Sequence, residues 1–217
     1  MGSRPTEHVE TELKFEVSGD FVLPDLGSQA DGVAVTDPEV FLLVATYFDT
    51  ADLRLAKASI TLRRRTGGSD AGWHLKLPVT AGTRRELQVP LGDDATAVPA
   101  QLASQVSAWV RDEPLQVVAV LETRRTVRRL AGRDGETLAE VADDAVTGRV
   151  PGWGDAAAQP ATWREIEIEL VGGGPEILAA ARARMTAAGA RPSSAASKLG
   201  RLLGARAAAT QPGAAPR

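Results

Sequence analysis

Two stretches of this chain carry acidic side chains at every second position. Near the start stands Glu10-x-Glu12-x-Lys14, and near the end Glu165-x-Glu167-x-Glu169. On an extended strand that spacing puts all three side chains on one face. Carboxylates so arranged suit a hard, oxygen-preferring divalent cation such as Mg²⁺ or Mn²⁺. Between the two stretches lie Arg63-x-Arg65, Lys76, Arg84-x-Glu86, Arg125 and Glu140-x-x-x-Asp144. Converging Arg and Lys side chains suit phosphate oxygens, which Arg grips with a bidentate fork. A ligand with several phosphates, bound together with a metal, would answer an acidic and a basic wall at once.

Composition narrows the chemistry further. There is no cysteine, and the histidines are His8 and His74 alone, so thiolate and multi-His zinc centres are excluded. Lys+Arg total 25 against 28 for Asp+Glu, a net charge of −3. That is too balanced for a general nucleic-acid or anionic-membrane binder. Arginine outnumbers lysine 21 to 4, the lysines being Lys14, Lys57, Lys76 and Lys198. Such sparing use suggests lysine is kept where a compact ammonium is wanted; chance survival is the competing reading. No apolar run reaches the roughly 18 residues of a membrane span and no signal-peptide pattern opens the chain. A cytoplasmic protein is expected, without nucleic-acid or membrane partners.

The elements that must position these residues are mostly strands. Residues 8–17 alternate strictly: Val9, Thr11, Leu13, Phe15 and Val17 against His8, Glu10, Glu12, Lys14 and Glu16. Further strands are expected at 41–50, 59–65, 72–78, 83–91, 116–130, 137–146 and 163–171. Gly67-Gly68 and 132–135 mark turns. Residues 18–37 read as loops with room for a short helix, and 51–58 as a turn or short helix. Helical spacing marks 99–110, 175–188 (Pro175 at its start) and 193–203. The expected fold is α+β: an eight-stranded antiparallel barrel with flanking helices, one domain over 1–204, and a disordered Ala/Pro-rich tail over 205–217. For any single strand, a solvated charged face is the competing reading. Closing the barrel with the charged faces inward would instead leave the apolar faces for the helices to cover.

Glu10-Thr-Glu12-Leu-Lys14 resembles the ExExK signature of the CYTH superfamily, the triphosphate tunnel metalloenzymes. Further segments resemble the family's in order: Tyr47-Phe-Asp-Thr50, Leu62-Arg-Arg-Arg65, Trp73-His-Leu-Lys-Leu-Pro78, Arg84-Arg-Glu86, the strand through Arg125, Glu140-Val-Ala-Asp-Asp144, Glu165-Ile-Glu-Ile-Glu169 and Ser197-Lys198. The resemblance runs from about residue 8 to about 203. It implies a tunnel barrel binding triphosphates with a divalent metal, Mg²⁺ or Mn²⁺.

Carried over position by position, the resemblance implies metal binding by Glu10, Glu12, Glu165 and Glu167. It implies phosphate binding by Lys14, Arg63, Arg65, Lys76, Arg84, Arg125 and Lys198. Asp144 would orient metal or water, so Glu10, Glu12, Lys14 and Asp144 form the expected catalytic set. Glu86, Glu140 and Glu169 share the inward faces without an assigned role; Asp143 faces the other way. Structural ion pairing inside the barrel is the competing reading for each residue. Tyr47 and Asp49 read as packing or turn residues, Trp73 as core or tunnel wall, and His8 and His74 as bystanders. The expected activity is hydrolysis of inorganic triphosphate. Thiamine triphosphatase, adenylate cyclase and a non-catalytic polyphosphate-binding module are the alternatives, with a CHAD-type phosphate-binding domain as a possible partner.

Overall fold

Strands with one apolar and one charged face leave two surfaces to satisfy, and this chain solves both by closure. The computed structural model describes residues 5–27, 33–92, 97–151 and 160–210. In chain order the elements are β1 (Thr6–Val17), β2 (Ala34–Val35), β3 (Glu39–Asp49), α1 (Arg54–Lys57), β4 (Thr61–Thr66), β5 (Gly72–Thr80) and β6 (Thr83–Pro90). There follow α2 (Ala100–Val110), β7 (Gln116–Ala131), β8 (Thr137–Arg149), β9 (Ala161–Leu170), α3 (Pro175–Ala187), β10 (Arg191–Pro192) and α4 (Lys198–Thr210). The eight long strands pair antiparallel in the order β1-β6-β5-β4-β3-β7-β8-β9, and β9 returns to β1. The expected eight-stranded barrel is therefore the observed one. β1 closes it by changing partners: residues 6–11 pair with β6 and residues 12–17 with β9.

The helices cover the outward apolar faces. α3 lays Leu178, Ala181 and Met185 on Leu13, Phe15, Val141, Ile166 and Ile168. α1 and α2 bring Leu55, Leu102, Val106 and Val110 onto Leu62, Trp73, Leu75 and Leu87. Trp73 is core there, its ring 5.1 Å from that of Phe48. α4 behaves differently. Its Leu199 and Leu202 bury against Ala45, Tyr47, Leu121 and Val146 at one end of the barrel. No described helix is long and apolar enough to cross a membrane.

Some boundaries differ from expectation. No helix forms in the described part of 18–37; β2 pairs there with Leu130 and Ala131 of β7. The last helix starts at Lys198 rather than 193, because the Ser197 hydroxyl accepts the Gly200 N–H at 3.0 Å and so caps it. Residues 191–192 instead add the short β10 to Phe15 and Glu16. At its other end α4 continues to Thr210, past the tail boundary expected at 205, through an alanine run with high helix propensity. The rest of that tail, 211–217, lies outside the described residues. The Gly67-Gly68 turn is as expected: both have positive φ, and a Cβ on Gly67 would sit 2.0 Å from the Leu42 carbonyl oxygen.

Asp49 explains why Tyr-Phe-Asp-Thr stands at the end of β3. Its fully buried carboxylate accepts N–H bonds from Thr50 (2.7 Å), Leu55 (2.9 Å) and Ala56 (2.9 Å), anchoring α1. Asp49→Ala strands three buried donors and is expected to cost about 3 kcal/mol, read as a lower urea midpoint. Asp49→Asn, keeping one acceptor oxygen, should cost less. An unchanged midpoint in Asp49→Ala would contradict this role.

Candidate active site

Cross-strand register brings the charged faces into one lumen. Arg125 lies opposite Asp144, Asp144 opposite Glu165, Glu140 opposite Glu169, and Lys14 opposite Glu167. On the other side Tyr47 faces Arg63, Thr61 faces Lys76, and Lys76 faces Glu86. A cavity of about 100 Å³ runs among Glu10, Glu12, Lys14, Arg63, Lys76 and Glu167, and continues to Lys198. A wider mouth of about 270 Å³ opens beside His8, Glu10, Glu86, Glu140 and Glu169.

The acidic side is densely paired. Lys198, from the first turn of α4, places Nζ 2.8 Å from carboxylate oxygens of Asp144, Glu165 and Glu167. Arg125 forks onto Asp144 at 2.8 and 2.6 Å and reaches Glu167 at 2.7 Å. Lys14 bridges Glu12 at 2.9 Å and Glu167. Burial opposes ionisation of Glu167, yet Lys14, Lys198 and Arg125 together hold its pKa well below the usual carboxylate range. Burial likewise opposes ionisation of Asp144, and Lys198 and Arg125 overcome it. Burial and the Glu10 carboxylate raise Glu169 to about 7, outweighing Lys76, its single counter-charge.

The basic side has less counter-charge, although burial of Arg63 is outweighed by Tyr47 and Glu86, which favour its charged form. Arg63 contacts the Tyr47 hydroxyl at 3.5 Å, and its Nε is buried with no hydrogen-bond partner among the described residues. Arg65 meets the exposed Asp70, but its Nε too is buried and unpartnered. Burial and the guanidiniums of Arg63 and Arg125 outweigh the Glu86 carboxylate and push Arg65 down to about 9, so it stays protonated at neutral pH. Arg84 donates to the Ala196 carbonyl at 2.5 Å. Buried polar groups normally find partners, so these orphaned donors describe a place for an anion.

Two clusters can hold a metal ion among the described residues. In one, ligand atoms of Asp144, Glu165 and Glu167 lie within 4.8 Å of one another; in the other, those of His8, Glu10 and Glu86 do. The four carboxylates expected to bind metal are thus distributed. Glu165 and Glu167 join Asp144, Glu10 joins the second cluster, and Glu12 pairs with Lys14 between them. The all-oxygen donor set of the first cluster fits a hard divalent cation. Glu140 sits at the mouth, 3.5 Å from Arg129, and Asp143 is bound outside to Arg164.

Three contributors escaped sequence reasoning. His74 Nδ1 lies 2.8 Å from Glu86 and its Nε2 3.0 Å from the Asp70 carbonyl, so it fixes Glu86. Both neighbours are acceptors, which favours an imidazolium. Burial, aided by Arg63 and Arg65, wins and lowers its pKa to about 4, so at neutral pH one ring nitrogen carries the proton. His8 Nε2 sits 2.9 Å from Glu86 and 3.4 Å from Glu10. Trp163 donates its indole N–H to Glu165 at 2.5 Å, a contact its period-two spacing could have suggested.

The comparisons with known proteins agree with this geometry. Two uncharacterized proteins of Mycobacterium tuberculosis, from strains CDC 1551/Oshkosh and H37Rv, are each 42% identical over 223 residues, an alignment covering 98% of this chain. The chain spans 43% of the length of each of these relatives. Among solved structures, a candidate adenylate cyclase of Bacillus halodurans matches with a TM-score of 0.61 at 18% identity, over 93% of this chain and 98% of that one. A candidate adenylyl cyclase of Hippeastrum, described as having a dominant triphosphatase activity, matches at 0.50 and 19% identity, over 90% and 96%. These two show the shared fold. The CYTH domain itself matches residues 8–201, so the chain belongs to the CYTH family.

Proposed function

We propose that the chain hydrolyses inorganic triphosphate to diphosphate and phosphate with a divalent metal, Mg²⁺ or Mn²⁺. One observation carries the reading: a carboxylate cluster stands across the lumen from buried guanidinium donors that have no acceptor of their own. The triphosphatase activity described for the Hippeastrum protein supports it. A cytoplasmic setting accompanies this reading.

Phosphoryl transfer asks the protein mainly for positioning and charge neutralisation. Arg63, Arg65 and Arg84 would hold phosphate oxygens through donors that the fold leaves unused. Asp144, Glu165 and Glu167 would hold the metal, which when bound supplies charge neutralisation and a water of lowered pKa. With those carboxylates holding a metal, Lys198, Lys14 and Arg125 would be freer to face the phosphates and to stabilise charge on the departing diphosphate. Water oxygen would bond to the terminal phosphorus and give up a proton to solvent, the bridging P–O bond would break, and its electron pair would leave with diphosphate. Trp163 would keep Glu165 in place throughout.

The direct test is phosphate release from inorganic triphosphate with Mg²⁺ or Mn²⁺, run beside ATP, thiamine triphosphate and long-chain polyphosphate. Triphosphate should be the fastest substrate. Glu165→Gln with Glu167→Gln should lower turnover by at least about 100-fold. Tight triphosphate binding without turnover of any substrate would leave a binding module instead.

Arg63 gives a second, sharper prediction. Against burial, Tyr47 and Glu86 already favour its charge in the ligand-free fold, so Arg63→Met should leave the stability of the ligand-free protein within about 1 kcal/mol of wild type. The same variant should lose at least about 100-fold in kcat/KM for triphosphate. A destabilised variant with intact turnover would reverse this assignment.

A further inference from the structure

Helices cover most of the outer apolar wall of the barrel, but not all of it. α3 seats on outward residues of β1, β8 and β9, and α1 with α2 on those of β4, β5 and β6. The first half of β3 stays bare on that side: Val40, Leu42 and Val44 are 50, 74 and 41% exposed. Three contiguous apolar side chains on one exposed strand face mark an interaction surface more than any one of them would alone. Beside them lies a groove of about 980 Å³, which starts at Leu42 and Val44 and runs over Ala145, Thr147 and Thr162. It crosses four neighbouring strands, β3, β7, β8 and β9, about 14 Å at ordinary strand spacing. One α-helix with its side chains, about 10–12 Å across, fits that width.

The groove is charged in one sense. Arg124, Arg164 and Arg201 line it against one carboxylate, Glu122. Arg149 already holds Glu122 at 2.6 Å, and Asp143 holds Arg164 at 2.8 Å. Arg124 lies directly opposite Leu42, is exposed, and enters no ion pair among the described residues. Arg201 rests over the Trp163 ring at 5.3 Å with a buried Nη1 that has no hydrogen-bond partner; its nearest carboxylate oxygen, on Glu16, is 3.7 Å away.

We propose that this groove docks an amphipathic α-helix of a partner domain, whose apolar face meets Leu42 and Val44 and whose flanking acidic residues meet Arg124 and Arg201. A helix lays such a face into a groove through residues at i, i+3, i+4 and i+7. α3 covers the neighbouring wall in the same way, with Leu178, Ala181 and Met185. A second copy of this chain does not fit. Two concave faces meet only at their rims, and the four helices hold one acidic residue among them, Glu176. The mycobacterial relatives have room for a further domain, since this chain spans 43% of their length. Leu42 and Arg124 point away from the lumen, so docking here is independent of triphosphate hydrolysis.

The test is binding of a fluorescein-labelled synthetic helix of about four turns to the full chain. Its leucines stand at i, i+3, i+4 and i+7 with glutamates on either side, and a twin peptide carries lysines in place of the glutamates. The glutamate peptide should bind saturably and gain helicity by circular dichroism, and the lysine twin should bind at least about tenfold more weakly. Leu42→Asp and Arg124→Glu should each weaken the glutamate peptide by at least about tenfold. Both side chains are exposed, so both variants should melt at the wild-type temperature. No saturable binding, equal binding of the two peptides, or an unaltered isotherm in Leu42→Asp would overturn the proposal. A concentration-dependent dimer of the chain alone, lost in Leu42→Asp, would overturn it too and give the groove to a second copy.

Discussion

Like charges confined inside a barrel must be neutralised, and most of this architecture follows from that requirement. An uncompensated buried ion costs several kcal/mol even after relaxation. The lumen meets the demand unevenly. Asp144, Glu165 and Glu167 share Lys198, Lys14 and Arg125 in one tight network. Arg63 and Arg65, across the lumen, keep buried Nε donors without acceptors. These spare donors are what the proposed phosphate ligand would take up, while the carboxylates are already neutralised by Lys198, Lys14 and Arg125.

On the proposed reading, metal and polyphosphate binding would be coupled. A cation taken up by the carboxylates would compete with the ammonium of Lys198 and the guanidinium of Arg125 for the same oxygens. Displaced from them, those side chains would raise the positive charge facing the phosphates. A polyphosphate arriving first would do the converse, drawing the lysines away and leaving the carboxylates short of counter-charge. Each ligand would thus lower the cost of binding the other, and linkage makes that benefit equal in both directions.

What the sequence revealed and what it hid divide along the same physical line. Period-two alternation is local, so β1 and β9 showed their inward carboxylates directly, and the motif order brought Arg63, Lys76, Arg125 and Lys198 to the same lumen. Partition of the carboxylates is not local. Glu10 and Glu12 stand two residues apart on one strand, yet β1 changes partner between 11 and 12. Glu10 consequently belongs with Glu86 of β6, and Glu12 pairs across from Glu169 of β9. Nothing in a one-dimensional pattern reports where a barrel seam falls. His74 was obscure for a similar reason: its Asp70 contact comes from the hairpin that Gly67 turns, and its Glu86 contact crosses to another strand. The start of α4 hinged on one hydroxyl, that of Ser197, in a segment where propensity alone favours an earlier beginning.

α4 ties these threads together, because it is both a plug and a ligand to the lumen. Leu199 and Leu202 hold it by apolar burial, and Lys198, the first residue of the helix, holds it by ion pairing to three carboxylates on two strands. Ser197 fixes the helix start, and the two anchors follow within its first turn and a half. The apolar anchor is indifferent to ligands. The ionic one is not, since any cation that neutralises Asp144, Glu165 and Glu167 removes the reason for Lys198 to stay among them. Closure of the barrel end and charge balance in the tunnel are therefore set by adjacent residues of one helix. On the proposed reading, the lysine would change partners while the leucines keep the helix seated.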